Sequence, residues 1–399
     1  MNIFKKCYCR CFQGIMKVVL PLMPYREPKV LESVTDIAGV LKEKELNKVM
    51  IVTDEGIQNL GLPKTLIDNL KENNIEFEIF ADVKPNPTTD VVEKAVEIYN
   101  TTACKAIIAF GGGSVIDCAK ALGARVSNPK KSLKKMKGLL KVKNPMPLFF
   151  AIPTTAGTGS ETTVSAVITD ADTHHKYVIN DFDLIPNYAV LDATLTVGLP
   201  PLLTVTTGMD ALTHAIEAFI GNSTTEFTRK NALESARIIF ENLPKVCEGG
   251  SNLRARNHML KASYMAGLAF TRSYVGYVHA VAHTLGGKYG TAHGLANAVI
   301  LPYFLGEYGK SIYGKLKVMA VYCNIARPYD SEEIATNKLI GRIRDLNDSF
   351  GLPKFFDFIK TEDIPELART ADKEANPLYP VPVLMSAKEL EKMYYKLQQ

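Results

Sequence analysis

The 399-residue sequence contains no tryptophan. It also lacks any uninterrupted apolar run approaching the roughly 18–20 residues needed to cross a bilayer, which excludes a spanning helix. A disulfide framework is excluded as well: the seven cysteines are odd in number and scattered along the chain, as expected in a reducing, cytoplasmic compartment. Cys7, Cys9 and Cys11 alternate in "CYCRCF", but the spacing matches none of the common zinc patterns and no histidine lies nearby, so the cluster reads as a small apolar element. The opening "MNIFKKCYCRCFQGIMKVVLPLMP" has the basic start and apolar content of a signal peptide. Arg10, Gln13 and Lys17 interrupt it and no small-residue cleavage site is evident, so it reads as a packing or surface-lying amphipathic segment. The net charge is +5, and much of it traces to seven lysines between Lys130 and Lys143. No stacking aromatics interleave with them, so a solvated loop or helix face accounts for the run and no nucleic-acid partner is expected.

What remains is the composition of a globular protein, 46% hydrophobic and 22% charged, long enough for two domains. From about residue 48, short apolar runs alternate with helical stretches: "KVMIVTD", "IEFEIFA", "KAIIAF" and "FFAIPTT" read as strands, "PKTLIDNLKENN" and "TTDVVEKAVEIYN" as helices. Such alternation predicts a parallel sheet covered on both faces. "SAVITDADTHHKYVIN" reads as a hairpin turning at Asp170–Thr173. Beyond Pro201 the apolar residues recur at helical spacing, which places the boundary near residue 199. The predicted order is an N-terminal extension over 1–26, an α/β domain over 27–199 and an all-helical domain over 200–399.

Two segments suit anions. "AFGGGSVIDCAK" follows a predicted strand and opens a helix, so the amides of Gly112, Gly113 and Ser114 can face a phosphate at the positive helix end. It is neither G-x-G-x-x-G nor a P-loop, and a plain strand-to-helix turn fits it equally. "IPTTAGTGSE" offers the hydroxyls and amides of Thr154, Thr155, Gly157, Thr158, Gly159 and Ser160 after another strand. Two cradles at parallel strand ends suit a ligand with several polar groups, such as a dinucleotide in a Rossmann-like domain. Asp54, closing the first strand, can either hydrogen-bond ribose hydroxyls and repel a 2′-phosphate or simply form the turn.

Histidine is scarce, yet three of the seven fall in "GYVHAVAHTLGGKYGTAHGLAN". His279 and His283 lie about 40° apart on one helix face, and His293 can return from a glycine turn. "TTGMDALTHAIEAF" adds Asp210 and His214, again four apart. A carboxylate with imidazoles suits Fe(II), Zn(II) or a similar ion, able to act as a Lewis acid on a carbonyl.

"GGGSVIDCAK", "IPTTAGTGSE", "GMDALTHAIEA" and "GYVHAVAHTLGGKYGTAHGLANAVILP", in this order and spacing, resemble the iron-containing (group III) alcohol dehydrogenase family, whose fold is shared with dehydroquinate synthase and glycerol dehydrogenase. The resemblance runs from about residue 27 to the end. It implies metal ligands at Asp210, His214, His279 and His293, with His283 beside substrate and nicotinamide instead. It implies NAD contacts at Asp54, Asn86, Gly112, Gly113, Ser114, Asp117, Thr154, Thr155, Thr158 and Lys176. His174, His175 and His258 match nothing catalytic. The implied activity is NAD-dependent interconversion of a small primary alcohol and its aldehyde, by hydride transfer to a metal-polarised carbonyl, in a homodimer or higher homo-oligomer carrying Fe(II) or Zn(II).

Three other readings compete. A dehydroquinate-synthase-like enzyme should cluster Lys, Arg and His around its acidic substrate, whereas Ala, Val, Leu, Gly and Tyr surround the histidines here, with Arg272 and Lys288 the exceptions. A glycerol-dehydrogenase-like enzyme shares the fold, and a non-catalytic metal-holding protein predicts no turnover.

Overall fold

The computed structural model describes residues 1–173 and 175–398. His174 therefore lies outside the described residues. The chain divides into two compact units, Pro24–Gly198 and a second made of Met1–Met23 with Leu199–Gln399. The first 23 residues thus fold with the helical unit.

Among the described residues the first unit carries nine strands: β1 Lys29–Leu31, β2 Lys48–Val52, β3 Glu76–Phe80, β4 Ala106–Gly111, β5 Gly138–Leu139, β6 Leu148–Pro153, β7 Ser165–Thr169, β8 Lys176–Asn180 and β9 Tyr188–Val190. Six form one parallel sheet in the order β1-β9-β6-β4-β2-β3. Alternate side chains of β2 enter different cores. Val49 and Ile51 pack with Leu41, Leu66 and Leu70, while Met50 and Val52 pack with Val92, Ile116 and Leu122. Burial on both faces is why β2, β4 and β6 are apolar at nearly every position. β4, buried throughout, is the sheet's central example.

From β2 the chain goes to β3 on one side and returns to β4 on the other, so strand order reverses between β2 and β4. In open α/β sheets the crevice at such a reversal, outside the carboxyl ends of the strands, is where ligands bind. β7 and β8 pair antiparallel from Ser165↔Asn180 to Thr169↔Lys176. Asp170 closes their turn, its Oδ1 accepting from the amides of Asp172 (3.1 Å) and Thr173 (3.0 Å).

The second unit is built of helices. Pro201–Ile220 begins with Pro201 at a position whose N–H would have no partner anyway. From Thr204 to Ile220 every residue but Thr207 is buried, which makes it the unit's central helix. It packs against Glu226–Glu248, Leu253–Ser273 and His293–Tyr308. The helix Tyr277–Tyr289 runs on through Gly286 and Gly287, where the sequence suggested an interruption. It stops at Gly290, which takes the left-handed φ of +70° that L side chains avoid. No described helix is long and apolar enough to cross a membrane.

Candidate active site

Asp210 and His214 stand one turn apart on the central helix, His279 lies on Tyr277–Tyr289, and His293 is the first residue of the next helix. One potential ligand atom from each lies within 4.8 Å of the others. Asp210 Oδ1 is 3.4 Å from His293 Nε2 and 4.0 Å from His279 Nε2, and Asp210 Oδ2 is 4.0 Å from His214 Nδ1. The His214 and His279 rings stack at 4.4 Å, and Phe270 covers the other side of His214 at 4.1 Å. His293 reaches the group because Gly294 has no side chain: a Cβ there would sit 2.3 Å from the Thr206 carbonyl oxygen. Asn297, one turn on, donates to Asp210 Oδ1 at 2.6 Å.

His279 is held from behind. Its Nδ1 lies 2.6 Å from Glu217 Oε2, and Glu217 also accepts from the amides of Gly276 (2.8 Å) and Val278 (2.9 Å). A Cβ at Gly276 would meet Glu217 Oε1 at 2.5 Å, so glycine is what admits the carboxylate to this helix end. Burial first, then the neighbouring imidazoles, holds His279 well below the ordinary histidine range, in the neutral form a metal requires. With the Nδ1 proton committed to Glu217, Nε2 carries a lone pair. That atom is buried without a hydrogen-bond partner and faces the Asp210 carboxylate. Two acceptors turned towards each other are what a cation relieves, so these four residues fit a divalent metal ion.

Helix geometry alone pairs His279 with His283, but the structure separates them. His283 lies outside the four-residue group, exposed, with its Nδ1 2.6 Å from Glu374 Oε1. The same Glu374 oxygen accepts from Tyr379 Oη at 2.8 Å. The His283 ring stacks on His293, centroids 5.1 Å apart. Burial raises the Glu374 carboxyl, but His283 and Tyr379 outweigh it and the pKa ends below the usual range. Glu217, Glu374 and Asn297 were not read from the sequence. Glu217 had a signal, because Asp210, His214 and Glu217 follow the i, i+4, i+7 spacing of one helix face.

In the α/β unit the two glycine- and threonine-rich segments come together. Gly111 pairs with Pro153, and the Thr154 amide donates to the Gly111 carbonyl at 3.2 Å. A Cβ on Gly113 would meet Thr158 Cγ2 at 2.9 Å, so the loops interlock through a missing side chain. Gly112 caps the helix Gly113–Ser127, whose N-terminus opens beside Thr155. Asn86, at a left-handed φ of +60°, places its amide 3.4 Å from Ser114 Oγ. The Thr169 amide donates to Pro87 O, which brings the hairpin bearing Lys176 against the same segment. Asp54 caps the helix Glu55–Asn59 with Oδ1, 2.9 Å from the Ile57 amide, so the turn role is filled.

Asp117 is engaged by the protein itself. Its Oδ1 accepts from Ser160 Oγ at 2.8 Å and its Oδ2 from the Val167 amide at 3.1 Å. One turn later on the same helix, buried Lys120 donates to Thr163 O, Thr163 Oγ1 and Ser165 O at 2.8 to 2.9 Å. Burial pushes the Lys120 ammonium down to about 8 and the Glu161 carboxyl up to about 7. Together Asp117 and Lys120 pin the loop that carries Thr154–Ser160. His175 is exposed, and His258 Nδ1 lies 3.1 Å from Asn242 Oδ1 on the neighbouring helix.

Comparison with known proteins gives this arrangement a context. Residues 30–193 match the family described as iron-containing alcohol dehydrogenase, and residues 204–397 match its C-terminal domain. The chain is 34% identical over 377 residues to a 1,3-propanediol dehydrogenase of Klebsiella pneumoniae, covering 90% of this chain and 92% of that one. It is 34% identical to an NAD-dependent methanol dehydrogenase of Bacillus methanolicus, covering 85% and 89%. The crystal structure of a 1,3-propanediol oxidoreductase superposes with a TM-score of 0.89 at 33% identity, over 94% of this chain and 98% of that one. The chain therefore belongs to the iron-containing alcohol dehydrogenase family of alcohol oxidoreductases.

Proposed function

We propose that the protein is an NAD-dependent, metal-assisted oxidoreductase that interconverts a small primary alcohol and its aldehyde. The observation that carries this reading is the buried acceptor group of Asp210, His214, His279 and His293, with its unpartnered His279 Nε2. A divalent metal ion supplies Lewis acidity towards the substrate oxygen, and the nicotinamide supplies or accepts the hydride. Fe(II) is the proposed resident, in keeping with the family, and Zn(II) suits the same ligands.

The residues divide the remaining work. Glu217 fixes the tautomer and ring plane of His279, leaving Nε2 turned to the Asp210 carboxylate, where the ion would be held. His283, its Nδ1 engaged by Glu374, presents Nε2 to exchange a proton with the substrate hydroxyl. Gly112, Gly113, Ser114, Thr154, Thr155 and Thr158 cradle the pyrophosphate, with Asn86 and Lys176 beside them, while Asp54 accepts from the ribose. Asp117 acts through the loop it pins. The apolar residues around the histidines favour a small, weakly polar substrate. Seven free thiols suit a cytoplasmic enzyme.

The test is the change in NADH absorbance with a panel of short aldehydes, with and without added Fe(II) or Zn(II), alongside metal analysis of protein purified without air. Metal-dependent oxidation of NADH is expected. Absence of turnover with every aldehyde in the metal-loaded protein overturns the reading in favour of a metal-holding protein.

A further inference from the structure

The helix Ile3–Val19 precedes the residues that match the family, which begin at residue 30. Its polar side chains serve one segment near the C-terminus. Arg10 donates from Nη1 to the Val381 carbonyl (2.8 Å) and from Nη2 to that of Pro382 (2.7 Å), and Gln13 Nε2 donates to the carbonyls of Tyr379 (2.7 Å) and Pro377 (3.3 Å). Arg10 Nη1 also reaches Gln13 Oε1 at 2.8 Å, so the two side chains form one unit. Gln13 is buried, which commits its amide to these partners. The segment depends on such donors. Three of the seven residues in "NPLYPVP", 376–382, are prolines. Proline has no N–H, so the segment cannot build a helix or a ladder of its own and its carbonyls are satisfied from elsewhere. Asn222 supplies the rest, its backbone amide to Pro380 (2.7 Å) and its Nδ2 to Val381 (3.0 Å).

The segment so held carries Tyr379, whose hydroxyl donates to Glu374 Oε1 at 2.8 Å, and the same oxygen lies 2.6 Å from His283 Nδ1. A carboxylate only accepts, so both neighbours donate to it: Nδ1 carries a proton and Nε2 is the nitrogen left to exchange one. The side chains of His283 and Glu374 are 44% and 30% exposed, so packing alone does not fix them. Tyr379, 8% exposed, is the rigid member of the three. Its place is set by the backbone that Arg10 and Gln13 grip. We propose that Arg10 and Gln13 are positioning residues for His283, acting through the backbone of residues 377–382, the Tyr379 hydroxyl and Glu374. This rests on the reading in which His283 exchanges a proton with the substrate hydroxyl. The N-terminal extension is then a brace for the group that moves the proton, separate from the residues proposed to hold the metal.

Steady-state kinetics with a short aldehyde test it, together with nitrogen NMR of Zn(II)-treated protein labelled at histidine, the His283 signals being assigned by their loss in His283→Ala. Tyr379→Phe, which removes only the hydroxyl, should lower kcat roughly threefold with KM unchanged. The double variant Arg10→Ala, Gln13→Ala should match it, keep its metal, and have no further effect in the Tyr379→Phe background. In each of these variants the His283 nitrogen shifts should move towards a mixture of tautomers. The proposal is overturned if kcat and shifts in the double variant equal those of the parent, if the double variant slows turnover by the same factor with and without the Tyr379 hydroxyl, or if metal content falls in step with kcat. Gln13→Ala alone repeats each comparison should the double variant not fold. Unchanged turnover in His283→Ala would instead remove the proton-exchange reading, and the nitrogen shifts would still decide whether Arg10 and Gln13 orient the ring.

Discussion

Glu217 Oε2 and His279 Nδ1 share a 2.6 Å hydrogen bond between two helices, and the carboxylate also closes the first turn of the helix that carries His279. One side chain thus sets both the position and the tautomer of a proposed ligand. Glu217→Gln keeps an acceptor but removes the charge and should weaken metal affinity by about 10- to 100-fold, measured by competition with a chromogenic chelator. Glu217→Ala should in addition lower stability by about 1–3 kcal/mol, since the Gly276 and Val278 amides lose their acceptor. Unchanged chelator competition in both variants would falsify the orienting role.

The four-residue group and His283 should separate on substitution. His279→Ala and His293→Ala are each expected to lose metal and turnover while keeping the folded circular dichroism spectrum, because the cores around them are extensive. His283→Ala should retain its metal, measured by elemental analysis, and turn over more slowly. Equal metal loss in all three variants would return His283 to the ligand set.

Asp54 has a capping role that any test of cofactor choice must preserve. Asp54→Asn keeps an oxygen for the Ile57 amide and removes the charge that would oppose a 2′-phosphate. At about 4 Å and an effective dielectric constant near 20, such repulsion is roughly 4 kcal/mol before salt and relaxation reduce it. The ratio of kcat/KM for NADP to that for NAD should rise at least tenfold, corresponding to about 1.4 kcal/mol. A ratio that stays constant leaves Asp54 with the cap alone.

Glu161 predicts a pH dependence of stability. Burial raises its folded pKa from 4.5 to about 7, so between these values the folded protein holds a proton that the unfolded chain has released. Stability from this group is therefore present below 4.5 and lost as pH rises through about 7. Glu161→Gln removes the effect, and its stability relative to the parent should climb across that window by about 1–3 kcal/mol in urea titrations. Parallel pH profiles for the two proteins would count against it.

The sheet was legible in sequence because strands buried on both faces, such as "KAIIAF", are apolar without alternation. The candidate metal group was legible only in part. Asp210 and His214 share one helix face, a local relation, but the choice of His293 over His283 depends on where Gly290 ends one helix and how closely Gly294 lets the next approach Thr206. Both are properties of packing, and the four residues that lie together are the ones the family resemblance implied. Lys120 escaped notice because a lysine seven residues past a glycine-rich turn reads as solvated, whereas the fold encloses it and supplies three acceptors. Asp117 illustrates the opposite difficulty: the motif marks the residue, while the partners of its two oxygens are visible only in three dimensions.

The helical unit is discontinuous, with Pro24–Gly198 inserted between its first 23 residues and the rest. Helix Ile3–Val19 finds its partners at Asp372, Tyr379, Val381 and Pro382, more than 360 positions downstream. At a synthesis rate of about 5–20 residues per second, the helix leaves the ribosome roughly 20–70 s before those partners exist. The inserted α/β unit can fold in that interval, whereas the first helix must wait for the contacts that hold it in the finished fold.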